Sequence, residues 1–147
     1  MKNILTILIG VLGILAAVQV NAANYVVKEL NNGPTGTFVF DPAFLHVQPG
    51  DTVTFEPTDL GHNSESVLTP VGAKPWESEV SKPLTITLSQ QGVYIYECVP
   101  HNLFGMVGMI QVGAAVNKAA ALKQAKAMEQ KQLMNQGRIT QTTSKIQ

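Results

Sequence analysis

Pro49-Gly50-Asp51 runs straight into Thr52-Val53-Thr54-Phe55, a turn that hands over to an alternating strand, and the same arrangement recurs along most of the chain. Proline presets the backbone of a turn and glycine takes conformations other residues avoid. Alternation of small polar with apolar side chains suits a strand with one wet face. Tyr25-Val26-Val27 begins another strand, turned by Asn31-Asn32-Gly33-Pro34; Thr37 to Phe40, Phe44 to Gln48, Leu84 to Leu88, Val93 to Glu97 and Val107 to Val112 continue the series. Short strands at this density predict an all-β sandwich or barrel and argue against a βαβ arrangement. From Asp59 to Pro83 periodicity is weak, which predicts a connecting loop with a short strand at its start and Trp76 plugging one side of the sandwich.

The two ends depart from this pattern. Lys2, the apolar run from Ile4 to Val18 and the small-residue site Val20-Asn21-Ala22 follow the order of a secretory signal, so residues 1–22 are expected to be removed, leaving a chain that begins near Ala23. The apolar run, interrupted by Thr6, Gly10 and Gly13, is short of the roughly twenty residues of a membrane span. After Gly113 the composition shifts: Asn117 to Gln136 is rich in strong helix formers, Leu122, Ala125, Met128 and Leu133 share one side of the wheel, and Gly137 is placed to stop the helix. The chain therefore divides into a signal over 1–22, a β domain over 23–113, a helical extension over 114–137 packing on the sheet, and a polar, frayed tail over 138–147.

Ten basic and ten acidic residues cancel overall. The balance is uneven along the chain: residues 23–113 carry Lys28, Lys74 and Lys82 against nine acids, whereas 114–147 carry six basic residues and the single acid Glu129. Opposite signs predict that the tail folds back on the body. The basic residues have no interleaved aromatics, so nothing points to nucleic acid.

A chain destined for an oxidising compartment has one cysteine, Cys98, and hence no internal disulfide. Burial alone could protect the thiol. His101 and Met106, however, follow it closely, and His62 in Leu60-Gly61-His62-Asn63 can be brought in from another strand. Two imidazoles, one thiolate and a weak thioether are the donor set of electron-transfer copper sites, intermediate between what Cu(I) and Cu(II) prefer, so little need move when an electron arrives. Zinc favours a closed tetrahedral set without the thioether. Val99-Pro100 would turn His101 back toward Cys98, and Gly105 would let the chain bend to bring Met106. Asn63 could hydrogen-bond across to this loop and aim its backbone N–H at the Cys98 sulfur. His46, with no donors near it in sequence, is read as structural.

Gly61-His62-Asn63-x-Glu65 and Tyr94-x-Tyr96-x-Cys98-x-Pro100-His101, with Gly105-Met106-x-Gly108 after it, resemble the blue copper proteins, and among them the pseudoazurins. Phe40-Asp41-Pro42, Pro49 to Val53, Pro57-Thr58-Asp59 and the helical extension extend that resemblance over nearly the whole mature chain. It implies a cupredoxin Greek-key β-sandwich of about eight strands with a C-terminal helical extension, and one copper bound by His62, Cys98, His101 and Met106. It also implies a monomeric periplasmic electron shuttle rather than an enzyme, with no membrane association after signal removal. Such a shuttle docks transiently around His101, through Gly61, Pro100 and Leu103, on a copper nitrite reductase or another denitrification enzyme. A copper-carrying or storage protein is the alternative. The resemblance departs in charge, since lysines usually surround the copper end in that family, whereas Leu60 and Glu97 stand here.

Overall fold

A computed structural model describes residues 21–147; the apolar run of the expected signal lies outside the described residues. Eight strands follow in order: β1 (Asn24–Gly33), β2 (Gly36–Asp41), β3 (Phe44–Val47), β4 (Thr52–Pro57), β5 (Glu65–Leu68), β6 (Leu84–Thr87), β7 (Gly92–Glu97) and β8 (Val107–Val112). They form two four-stranded sheets, ordered β2-β1-β4-β6 and β3-β8-β7-β5. The pairs β1 with β4 and β3 with β8 are parallel and the others antiparallel. The expected sandwich is therefore present, and the short strand expected early in the 59–83 segment is β5.

Strand β7 explains how one sequence stretch can be apolar at nearly every position. Period-two alternation sends Tyr94, Tyr96 and then Cys98 into the space between the sheets, with Phe40, Val53, Phe55, Met106 and Ile110. Val93 and Ile95 point the other way, into a second core with Val107, Met109, Ala121, Ala125, Ile139 and Ile146. A strand covered on both faces needs no polar alternation. Trp76 packs over the first core, its ring 5.7 Å from that of Phe55. Gly108 in β8 has no room for a side chain, because a Cβ there would come within 2.2 Å of the Tyr96 ring.

The sequence leaves the number of C-terminal helices open, and the structure has two, with an end that is not frayed. These are α1 (Lys118–Glu129) and α2 (Arg138–Thr143). The Glu129 carboxylate accepts hydrogen bonds from the Gly137 N–H and, at 2.9 Å, from the Thr140 N–H. A negative group at unpaired N–H groups stabilises a helix start, so Gly137 opens the second helix where it was expected to close the first. The buried face of α1 is Ala121 and Ala125, not the leucines, and Leu122 and Leu133 are exposed. Small side chains let the helix lie close on the sheet.

Nor is the tail loose. Ile139, Thr142 and Ile146 are buried, the Gln147 N–H donates to Gln111 Oε1 at 3.0 Å, and Lys118 Nζ donates to the Ile146 carbonyl at 2.9 Å. The tail does return to the body, held by apolar burial and hydrogen bonds to backbone and amide groups. Replacing a fully buried Ile by Ala costs about 2–5 kcal/mol through lost transfer energy and the cavity left behind. Ile139→Ala is therefore expected to lower the unfolding free energy measured by denaturant titration by an amount in that range; a loss under about 0.5 kcal/mol, typical of surface positions, would show that α2 adds nothing to the core.

Candidate metal centre

The loop after β7 is built to bring its ends together. Cys98 is extended (φ −93°, ψ 114°) and precedes a short 3₁₀ segment, Val99–Phe104, with Pro100 at its start. His101 leaves helical geometry (φ −125°, ψ 19°), its N–H donating to the Cys98 carbonyl at 3.0 Å. Gly105 ends the segment at φ 77°, a left-handed conformation that a side chain would strain. The Cys98 N–H then donates to the Met106 carbonyl at 3.0 Å. Cys98 and Met106 thus stand side by side at the feet of the β7–β8 pair, both fully buried in the core.

His62 arrives from the β4–β5 connection. The Gly61 N–H donates to Ser81 Oγ at 2.9 Å, and the Ser81 N–H donates to the His62 carbonyl at 2.7 Å, which pins this backbone. Asn63 ties the two loops together as expected: its Oδ1 accepts the Val99 N–H at 2.8 Å, and its own N–H faces the Cys98 sulfur.

His62, Cys98 and His101 place one donor atom each within 4.8 Å of one another. The Nδ1 atoms of His62 and His101 lie 3.6 and 3.4 Å from Cys98 Sγ. His62 Nε2 lies 3.0 Å from Asn31 Oδ1, and a carbonyl oxygen only accepts, so Nε2 carries the proton and Nδ1 turns its lone pair toward the sulfur. Burial, and then the neighbouring His101, hold the His62 imidazole below its usual pKa, with Asp59 opposing; burial lowers that of His101. Both rings are therefore neutral near pH 7, the state a metal needs. Burial pushes the Cys98 thiol up to about 11, with the N–H groups of Asn63 and His101 restraining the rise. A protonated, buried thiol resists oxidation. Two imidazole lone pairs and a soft sulfur inside an apolar shell fit copper. Met106 is brought beside Cys98, whereas His46 lies on β3, exposed, its Nε2 donating to the Gly113 carbonyl at 3.1 Å.

Two residues near the site were not anticipated. Phe38 stacks on the His101 ring, centroids 4.2 Å apart and planes 9° from parallel. It does so at φ 51°, a conformation costing a bulky residue on the order of 1–3 kcal/mol. Arg138 holds the surrounding backbone: Nη1 donates to the carbonyls of Thr37 (3.0 Å), Phe38 (2.9 Å) and Gly105 (3.4 Å), and Nη2 donates to that of Thr35 (3.3 Å). Neither residue carries a sequence signal, because an aromatic in a strand reads as core and an arginine in a polar tail reads as solvated.

A sandwich with this donor cluster at one end defines a cupredoxin. Residues 27–113 match the family described as copper binding proteins, plastocyanin/azurin family, and the chain belongs to it; the family is one of electron carriers rather than enzymes, and its cofactor is copper. Within that family its relatives include pseudoazurins. It is 42% identical over 96 residues to the pseudoazurin of Paracoccus pantotrophus, a match covering 64% of this chain and 66% of that one. It is 43% identical over 89 residues to the pseudoazurin of Methylorubrum extorquens, 59% of this chain and 60% of that one. The crystal structure of native pseudoazurin from Hyphomicrobium denitrificans aligns with a TM-score of 0.72 at 33% identity, over 85% of this chain and 99% of that one.

Because the Cys98 thiol is protonated near neutrality and binds metal only as thiolate, uptake of one equivalent of metal at about pH 7 should release close to one proton, and Cys98→Ser should release almost none. Proton-release titration checks this. Asn31→Ala removes the acceptor that sets the His62 tautomer and should weaken Cu(I) binding about 10–100-fold in a chelator competition, the usual cost of losing an outer partner of a ligating histidine.

Proposed function

We propose that His62, Cys98, His101 and Met106 hold one copper ion and that the chain carries single electrons between protein partners in the periplasm. The observation that carries this reading is the convergence of a buried thiol and two imidazole donors within 4.8 Å, with Cys98 and Met106 joined across the base of one loop. Copper held there supplies a one-electron couple. The chain's own contribution is to pin the donors in advance. Asn31 orients His62, Asn63 ties the two loops, and Phe38 braces His101. Donors locked by the fold change little with oxidation state, which keeps the barrier to exchange low. The same rigidity argues against a carrier that must surrender its metal.

Passage of the electron is assigned to His101. Its ring is half-buried, at the end of the molecule where Leu60, Val99 and Leu103 are exposed, Leu60 to 78%. Leu133, whose N–H donates to the Leu103 carbonyl at 2.8 Å, adds a further exposed apolar side chain from the linker between the helices. A small apolar face excludes water between redox centres yet releases quickly, as a transient complex requires. The partner proposed is a copper nitrite reductase or another denitrification enzyme, met by a monomer of this chain. Secretion is supported by the signal-like N-terminus; among the described residues no helix is long and apolar enough to cross a membrane.

The absorption spectrum of the oxidised, copper-loaded protein tests the site: an intense thiolate-to-copper band is expected, and Cys98→Ser should abolish it. A colourless wild type, or rapid loss of copper to an apo acceptor, would overturn the reading. Leu103→Glu should slow reduction of the partner at least tenfold with the colour unchanged, and equal rates would remove His101 as the exit. Leu60 and Glu97 lie beside the two metal loops where lysines are usual in that family. Added salt should therefore leave the rate with an acidic partner level or raise it, by screening repulsion.

A further inference from the structure

Glu29 is fully buried in the sandwich, and both of its carboxylate oxygens lack a hydrogen-bond partner among the described residues. The Tyr96 hydroxyl, likewise buried, also lacks one. A carboxylate left so is costly, and a neutral apolar residue would serve packing better. Its place in the fold suggests why it is kept. Glu29 and Asn31 are two residues apart on β1 and so share a face, about 7 Å apart along the strand; Tyr96 on β7 and Cys98, extended just beyond its end, are likewise two residues apart and in one core. Asn31 and Cys98 belong to the metal centre, so Glu29 and Tyr96 form the layer directly beneath it. The Glu29 charge acts on both Tyr96 and Cys98.

From this layering, and resting on the copper reading above, we infer that Glu29 is a redox-linked proton-binding site: each electron accepted at the metal centre is accompanied by a proton bound at the Glu29 carboxylate. The balance is simple. The redox partner supplies one electron and water supplies one proton, the centre loses one positive charge, and the carboxylate becomes a carboxylic acid; reoxidation reverses all of it. The driving force is Coulombic, because the cationic centre stabilises a buried anion one layer below and loses that hold when its charge falls.

No other group takes over this role. On β2 and β4 the residues opposite Glu29 are Phe40 and Pro57; Asp41 and Glu56 are their neighbours, and Glu56 is exposed. Lys28 is exposed on the other face of β1. Asp59 donates its N–H to the Glu29 carbonyl, while its carboxylate accepts the Asn31 N–H at 2.7 Å. On β7 and just beyond its end, Tyr94, Tyr96 and Cys98 share the Glu29 side, and the Tyr94 hydroxyl already donates to the Gln90 carbonyl at 2.8 Å; Glu97 points away and accepts from Asn102 Nδ2 at 3.0 Å. Burial pushes the Glu29 carboxyl up to about 7, inside the working range of pH.

The test is the midpoint potential of the copper-loaded protein, wild type and Glu29→Gln, over about two pH units either side of neutrality. Protons stabilise the reduced form, so the wild-type potential should fall as pH rises. At the steepest point the reduction equilibrium should change up to tenfold per pH unit, which is about 59 mV for one electron. Glu29→Gln should flatten this slope while any contribution from His101 at lower pH persists in both proteins. Reduced-minus-oxidised infrared spectra should show a carboxylic acid C=O band appearing on reduction in wild type and absent in Glu29→Gln. A blue wild type whose potential follows the same pH course as the variant, or which shows no such band, overturns the inference and leaves the copper reading intact; a protein that never turns blue fails at the earlier step. Should the glutamine variant not fold, Glu29→Met serves as the comparison, and the wild-type infrared band decides by itself.

Discussion

The hydrogen bond from the Cys98 N–H to the Met106 carbonyl, at 3.0 Å, is the constraint from which the rest of the metal centre follows. It closes the loop at the ends of β7 and β8, so the two sulfur-bearing residues belong to the core before any metal arrives. Between them the chain has room for one tight 3₁₀ segment, and Gly105 alone at that point can take the left-handed turn without strain. His101 is thereby set against Cys98 within the same loop. Only His62 has to come from elsewhere, and Asn63 and Ser81 hold its approach.

Around this loop lie supports that have no contact with one another in sequence. Asn31 on β1 decides which nitrogen of His62 is bare, Phe38 on β2 lies flat on His101, and Arg138 in α2 grips the backbone of Phe38 and of Gly105 at once. The strained backbone of Phe38 persists because Arg138 over-determines the carbonyls around it. The helical extension therefore braces the metal loop as well as covering the sheet. Beneath the donor cluster, Glu29 and Tyr96 place polar groups unpartnered among the described residues where an apolar layer would have sufficed for folding.

Much of this was readable in the chain. Turn residues and period-two alternation marked most of the strands, because a strand with one wet face imprints that period on the sequence. The spacing of Cys98, His101 and Met106 marked the loop, because donors carried on one short loop must lie close in sequence. Asn63 was legible for the same reason, as the neighbour of His62. The helices were less so: Ala125 lay on the expected face, but its partner there is Ala121 rather than the leucines, and Glu129 caps the second helix, features that a wheel of large apolar residues does not reveal.

The sequence by itself determined the class of fold, the donor set and the two segments that supply it, since period, turn chemistry and ligand type are local properties of a chain. The tertiary structure alone decided that Glu29 is inside, that Phe38 meets His101, and that Arg138 reaches across a hundred residues to hold it. Those outcomes depend on which strand faces are brought together and at what depth, and a residue's own neighbours carry no record of that.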